Sequence, residues 1–187
     1  MKINCKILLF SVLMSFPMAW ADQPNLLEKA KEHMDYMLEK KNKKFVIGIS
    51  VKTTNENMKS AQDIPPLCSR FYGENLSAKI PNRVDQNILV VYTQYESDYM
   101  KPYTCVVGCE VSSLKEVPPG MVGIEIPAHD YAVFTTKGPF PQSVVQAWQG
   151  IWSSTMKRSY TADFEVYGPD FNPQTKPEVK IYLAIKN

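Results

Sequence analysis

The chain has 187 residues, 44% hydrophobic and 21% charged, with 21 Lys and Arg against 19 Asp and Glu and a formal net charge of +2. Such a composition supports one domain with a real hydrophobic core and excludes intrinsic disorder. With no basic excess, it also argues against nucleic acid as a partner.

At the amino terminus, Lys2 and Lys6 precede an apolar run, Ile7 to Met18, that closes on Ala19-Trp20-Ala21 before Asp22. Basic, apolar and small-residue regions in that order read as a signal peptide over residues 1–21, and the run is shorter than the ~20 apolar residues of a membrane-spanning helix. Cleavage removes two lysines and no acid, which leaves 19 basic and 19 acidic residues in a neutral mature chain. The expected location is periplasmic or secreted, without stable membrane insertion. Over residues 22–44, Leu27, Ala30, Met34, Met37 and Leu38 recur at helical spacing among charges, which predicts an amphipathic leading helix. Its basic end, Lys40-Lys41-Asn42-Lys43-Lys44, reads as a solvated helix terminus stabilised by the dipole.

From Phe45 the period changes. The segments read as strand (Val46 to Thr53), helix (about Ile64 to Asn75, with Pro65 or Pro66 in its first turn), strand (Ile88 to Tyr95) and strand (Tyr103 to Val111). The order then recurs as a long strand (Met121 to Thr135), a helix (Pro141 to Thr155), a strand (Asp163 to Tyr167) and a final strand (Glu178 to Lys186). Spacing supports a duplication. Val90-Val91-Tyr92 is followed by Lys101-Pro102, and Glu165-Val166-Tyr167 by Lys176-Pro177, with both pairs offset by 75 residues. The predicted fold class is α+β: a duplicated β-α-β-β unit forming a twisted antiparallel sheet with helices on one face. The other face and the seam between repeats are expected to stay open, with a ligand groove at the pseudo-two-fold seam.

Three cysteines, Cys68, Cys105 and Cys109, follow the leader. Cys105 and Cys109 are four apart on one predicted strand, about 13 Å along it, too far to pair with each other. Either Cys68 bridges to one of them or all three are buried thiols. No close Cys/His cluster suggests a metal, and no phosphate loop or serine-histidine pairing suggests a cofactor or a standard enzyme class. Glu96 with Asp98, at the end of a hairpin strand, reads as turn chemistry rather than acid-base catalysis.

Several stretches carry a resemblance: Phe45 to Ser50, Lys79-Ile80-Pro81-Asn82, Val91 to Asp98, Ile126-Pro127-Ala128, Tyr131-Ala132-Val133-Phe134 and Phe164-Glu165-Val166-Tyr167. In order and spacing the chain resembles the GyrI-like small-molecule-binding domains, similar to the effector-binding halves of multidrug-responsive MerR- and AraC-type regulators. It does so over residues 45–187. The resemblance implies a glutamate on the strand after the second helix that meets a ligand's positive charge, with aromatic rings around it. Here that residue is Glu165. Independently, Tyr131, Trp148, Trp152, Tyr160, Phe164, Tyr167 and Tyr182 gather aromatic character around it in sequence. A carboxylate in such surroundings pairs with a cation or takes a proton, and each ring face adds ~0.5–2 kcal/mol per cation contact.

The expected ligand-binding set is therefore Glu165, Tyr92, Tyr131, Trp148, Trp152, Tyr167 and Tyr182, with Glu178 as a second acid. Of Trp148 and Trp152, one is expected to line the groove and the other to pack on the sheet. Two features depart from the resemblance. Cys68 stands where many relatives carry tryptophan, which widens the groove at that wall, and residues 22–44 leave room for one helix rather than a helix-turn-helix. The leading reading is non-catalytic binding of a small amphipathic cation by a stand-alone domain outside the cytoplasm. The alternative is a hydrolase that opens strained electrophiles with Glu165 as the catalytic residue and Tyr131 or Tyr167 as hydrogen-bond donor. A protein-protein module is the third. Mass analysis of protein recovered from cells is expected to find a mature chain beginning at Asp22, and an intact Met1–Ala21 segment in a cytoplasmic fraction would contradict the export reading.

Overall fold

Two β-α-β-β units are present and join edge to edge in a computed structural model that describes residues 35–186. Leu27, Ala30 and Met34 of the expected leading helix, and the signal segment, lie outside the described residues. The strands are β1 (Tyr36–Lys41), β2 (Lys44–Thr53), β3 (Ile88–Thr93), β4 (Tyr103–Val111), β5 (Val122–Ile126), β6 (His129–Thr135), β7 (Ala162–Tyr167) and β8 (Lys180–Ala184). The helices are α1 (Lys59–Gly73) and α2 (Gln142–Ser153). All strands lie in one antiparallel sheet of order β1-β6-β8-β7-β3-β4-β2-β5. No helix among the described residues is long and apolar enough to cross a membrane.

The duplication is visible in the strand order, since β2-β4-β3 of the first unit mirrors β6-β8-β7 of the second. β3 and β7 meet at the centre, with Val90 opposite Glu165. Those residues are also 75 apart, so each is the other's repeat counterpart. The pseudo-two-fold axis therefore passes through the Val90–Glu165 pair. Alternation along the strands divides the side chains between two faces. On the helix face, α1 packs Leu67, Cys68 and Phe71 against Ile47, Val90, Cys105 and Val107. On the same face, α2 packs Val144, Trp148 and Ile151 against Phe134, Ile181 and Leu183.

The opposite face differs from the sequence reading. Instead of lying open, it buries one cluster that includes Val46, Val91, Val106, Ile126, Tyr131, Phe164 and Tyr182. These residues come from both ends of the strand order, so the sheet curls over this face and encloses it. The long strand expected from Met121 to Thr135 makes that curl possible by breaking at Pro127-Ala128. Pro127 has no amide for a ladder bond, and the chain leaves β5 beside β2 to re-enter as β6 beside β8.

Two helical expectations are also corrected. Residues 36–41 form a strand, not the end of a helix, because the open edge of β6 pairs them from Tyr36 opposite Phe134 to Lys41 opposite His129. Met37 and Leu38 are exposed there, so their apolar spacing serves no packing stripe. α1 begins at Lys59 rather than near Ile64, which places Pro65 and Pro66 inside the helix instead of in its first turn. Cys68, Cys105 and Cys109 are all buried and no disulfide joins them, the second of the two alternatives.

A close approach of β2 and β4 completes the first unit. Gly48 faces Gly108 across the ladder, and a Cβ would lie 2.2 Å from the Val107 carbonyl at Gly48 and 2.3 Å from the Ile47 carbonyl at Gly108. Only backbone fits between them. Gly48→Ala or Gly108→Ala is expected to lower stability by ~1–3 kcal/mol in urea or thermal unfolding through overpacking. Gly73→Ala, where nothing lies within 4 Å of the added carbon, is the control expected to lose none.

Candidate functional site

Each helix covers its own half of the sheet, and the seam left between them is a cavity of about 600 Å³. That volume suits a small organic molecule. α1 contributes Ile64, Cys68 and Tyr72, and α2 contributes Val144, Trp148 and Trp152. Both trios follow the same i, i+4, i+8 spacing, so each helix turns one face towards the seam. Val90 and Tyr92 of β3 and Glu165 and Tyr167 of β7 form the floor. Asn55, Met58, Phe140 and Pro141 extend the lining.

Glu165 is the one carboxylate among the described residues lining this cavity, and no lysine or arginine joins it. It is 3% exposed. Its Oε1 accepts hydrogen bonds from the Tyr92 hydroxyl at 2.8 Å and the Trp148 indole Nε1 at 2.6 Å, and its Oε2 accepts one from the Tyr167 hydroxyl at 2.7 Å. Tyr92 and Tyr167 are repeat counterparts, 75 residues apart, so the two-fold places matching hydroxyls on either side of a carboxylate on its axis. The indole breaks the symmetry. On the α1 face of the cavity the side chain at the middle of the matching trio is the Cys68 thiol, where α2 has the indole.

Burial pushes the Glu165 carboxyl above its ordinary value of 4.5, and the hydrogen bonds from Tyr167, Trp148 and Tyr92 oppose the rise without cancelling it. Burial and the neighbouring carboxylate likewise hold the Tyr92 and Tyr167 hydroxyls protonated, well above the ordinary tyrosine range. They stay donors at physiological pH. The site thus presents a desolvated, hydrogen-bonded acid beneath aromatic walls, where Tyr92 meets Trp148 edge-on at 5.3 Å and Trp148 stacks with Trp152 at 6.2 Å.

The structure brings Glu165, Tyr92, Trp148, Trp152 and Tyr167 of the expected set together around one cavity. Both tryptophans line it, where one had been expected to pack on the sheet alone. Trp148 is 8% exposed and does both, while Trp152 is 37% exposed and stacks on Tyr99. Tyr131 and Tyr182 are elsewhere. Both lie in the cluster on the opposite face, where Tyr182 stacks on Phe164, because their strand positions have the parity of that face. Tyr131 therefore offers no donor to Glu165. Glu178 lies in the connection before β8, exposed and outside the cavity lining. Glu96 pairs with Lys52, and Asp98 accepts the Met100 amide in its turn.

Sequence reasoning passed over several lining residues. Ile64, Tyr72 and Val144 carry no motif, though the matching i, i+4, i+8 faces of the two helices could have found them. Also passed over was a buried ion pair beside the cavity, in which Arg158 Nη2 donates to Asp163 at 2.6 Å. Its sequence gives no signal, because Arg158 lies in the irregular segment before β7, where no periodicity marks a side chain as inward.

Comparisons place this geometry among known proteins. Residues 37–185 match the family model described as integron-associated effector binding protein. YobU of Bacillus subtilis (strain 168) is 32% identical over 144 residues, 74% of this chain and 90% of that protein. The integron cassette protein VCH_CASS2, from the mobile metagenome of Vibrio cholerae, superposes with a TM-score of 0.62 at 28% identity over 81% of this chain and 95% of that one. SAV2435, solved with tetraphenylphosphonium bound, shares the fold with a TM-score of 0.68 at 18% identity over 82% and 95% of the two chains.

The raised Glu165 carboxyl has a consequence for stability. An acid whose folded value exceeds its unfolded one holds its proton longer in the fold, so its cost is absent below the ordinary 4.5 and grows as pH rises through the folded value. Glu165→Gln carries no such cost. Urea denaturation across this range is expected to show the variant gaining stability relative to the natural protein as pH rises towards neutral. A difference independent of pH would place the carboxyl at its ordinary value.

Proposed function

Because the chain belongs to the integron-associated effector-binding family, whose members bind small molecules, we propose that its own ligand is an amphipathic monocation held against Glu165 outside the cytoplasm. The observation that carries this reading is the Glu165 carboxylate, 3% exposed, in an aromatic cavity without a lining base. A buried charge without a partner is costly, and a ligand cation supplies that partner.

The hydrogen-bond pattern narrows the class of cation. Two donors already occupy Oε1 and one occupies Oε2, so the carboxylate offers a ligand its charge more than its lone pairs. A primary ammonium ion would leave water without a full set of acceptors in return. A quaternary ammonium or phosphonium ion has no such bonds to lose, and ring faces attract it by ~0.5–2 kcal/mol per contact. Tetraphenylphosphonium in SAV2435, a protein of the same fold, supports this class of ligand. The apolar run and small-residue boundary before Asp22 support a site of action beyond the inner membrane.

Titration of the mature protein with tetraphenylphosphonium, followed through the Trp148 and Trp152 emission, is expected to show saturable binding. In Glu165→Gln the affinity should fall by ~2–4 kcal/mol while the fold persists. Unchanged affinity would place the cation elsewhere.

A further inference from the structure

The two tryptophans of the cavity are fixed by different means. Trp148 belongs to the core cluster beneath α2, and its indole donates to Glu165 at 2.6 Å. Trp152, in the last turn of α2, lines the cavity but lies outside that cluster and is 37% exposed. A ring with over a third of its surface in solvent keeps rotamer freedom unless something beyond its own helix restrains it. A ligand that needs the ring in one orientation must then immobilise it, at a cost in affinity.

The restraint comes from the other repeat. Tyr99, in the turn that joins β3 to β4, stacks on Trp152 with centroids 5.4 Å apart and planes 6° from parallel, and Trp152 stacks in turn with Trp148 at 6.2 Å. Tyr99 itself does not line the cavity. Its position is held independently of α2. The Asn55 side-chain amide donates to the Tyr99 carbonyl at 2.8 Å, while the Asn55 side-chain oxygen accepts the Tyr103 hydroxyl at 2.8 Å. Next along the turn, the Met100 amide donates to Asp98 and the Met100 carbonyl accepts the Thr54 hydroxyl. Over the Tyr99 ring, at 5.9 Å, lies the Arg158 guanidinium, itself buried and paired with Asp163. Tyr99 is thus the fixed ring of the stack and Trp152 the guided one.

We propose that Tyr99 is a positioning residue for the ligand, acting through Trp152: by holding that indole in one orientation it gives the site a preference for aryl-bearing over alkyl-bearing monocations. The inference rests on the Glu165 reading and adds to it the nature of the cation's substituents. An aryl group meets an indole in a definite geometry, offset-stacked or edge-on, so its binding depends on how the ring is held. An alkyl group gains chiefly from the apolar area it buries and depends on ring orientation far less. Glu165 does not distinguish the two, since the charge is the same.

Tetraphenylphosphonium and tetrabutylphosphonium, titrated by calorimetry into the mature protein, test this. Tyr99→Ala is expected to weaken the tetraphenyl probe about tenfold, the size of one side chain left to be immobilised on binding, and the tetrabutyl probe less than about twofold. Tyr99→Phe keeps the ring and should restore the natural affinities. Once Trp152→Ala has removed the guided ring, Tyr99→Ala is expected to cost nothing further. Should Tyr99→Ala fail to fold, Tyr99→Leu, which keeps the bulk without the ring, takes its place with the same expected loss. Unchanged affinity in Tyr99→Ala, or an equal loss for both probes, overturns the positioning role and leaves the Glu165 reading standing. Failure of Tyr99→Phe to restore binding, or a full further loss in the Trp152→Ala background, overturns it as well. If neither phosphonium binds the natural protein, the Glu165 anchor itself fails and the positioning role falls with it.

Discussion

A carboxylate buried on the pseudo-two-fold axis is the constraint around which this molecule is arranged. Taking Glu165 out of water is costly, and the fold offsets the cost with three donors from three elements: Tyr92 from β3, Tyr167 from β7 and Trp148 from α2. The β3–β7 register must therefore hold to the residue, since a slip by one would carry every floor side chain to the opposite face. α2 must also dock with its indole turned inward. The same side chains that build the cavity keep its acid tolerable when nothing is bound.

Duplication explains how a single charge comes to sit between matched walls. An axis through Val90 and Glu165 gives two equivalent tyrosines but only one carboxylate, because the two residues facing each other on it differ. The helices repeat the theme with a difference in size, an indole on α2 and the Cys68 thiol on α1, both lining the cavity. An unsymmetrical ligand suits such a space better than a symmetrical one, with flat aromatic surface against the Trp148–Trp152 wall and bulk towards the thiol.

Rigidity comes from beneath. The enclosed core on the far face, with Tyr131, Phe164 and Val91 at 0–1% exposure, and the Gly48–Gly108 approach fix the sheet's curvature. The seam can then stay open above it, because neither helix needs the other's apolar face to be buried. Stability and function draw on opposite sides of one sheet.

Much of this was legible in the sequence. The 75-residue repeat and the antiparallel α+β class follow from spacing and alternation, which are local quantities along one chain, whereas Glu165 was singled out by the resemblance to GyrI-like domains, with the aromatic residues of the second half pointing the same way. What lay outside that reach depended on partners distant in sequence. Residues 36–41 carried helical spacing, yet the unpaired edge of β6 made them a strand. Pro127 turned one long apolar run into two strands near opposite ends of the sheet. Tyr131 and Tyr182 were aromatic and close in sequence to the acid, but strand parity, which is settled only once the register is known, sent them to the other face. The chain by itself determined which acidic and aromatic residues were available to a site. Only the folded sheet, by closing on its far side and leaving its seam open, decided which of them meet.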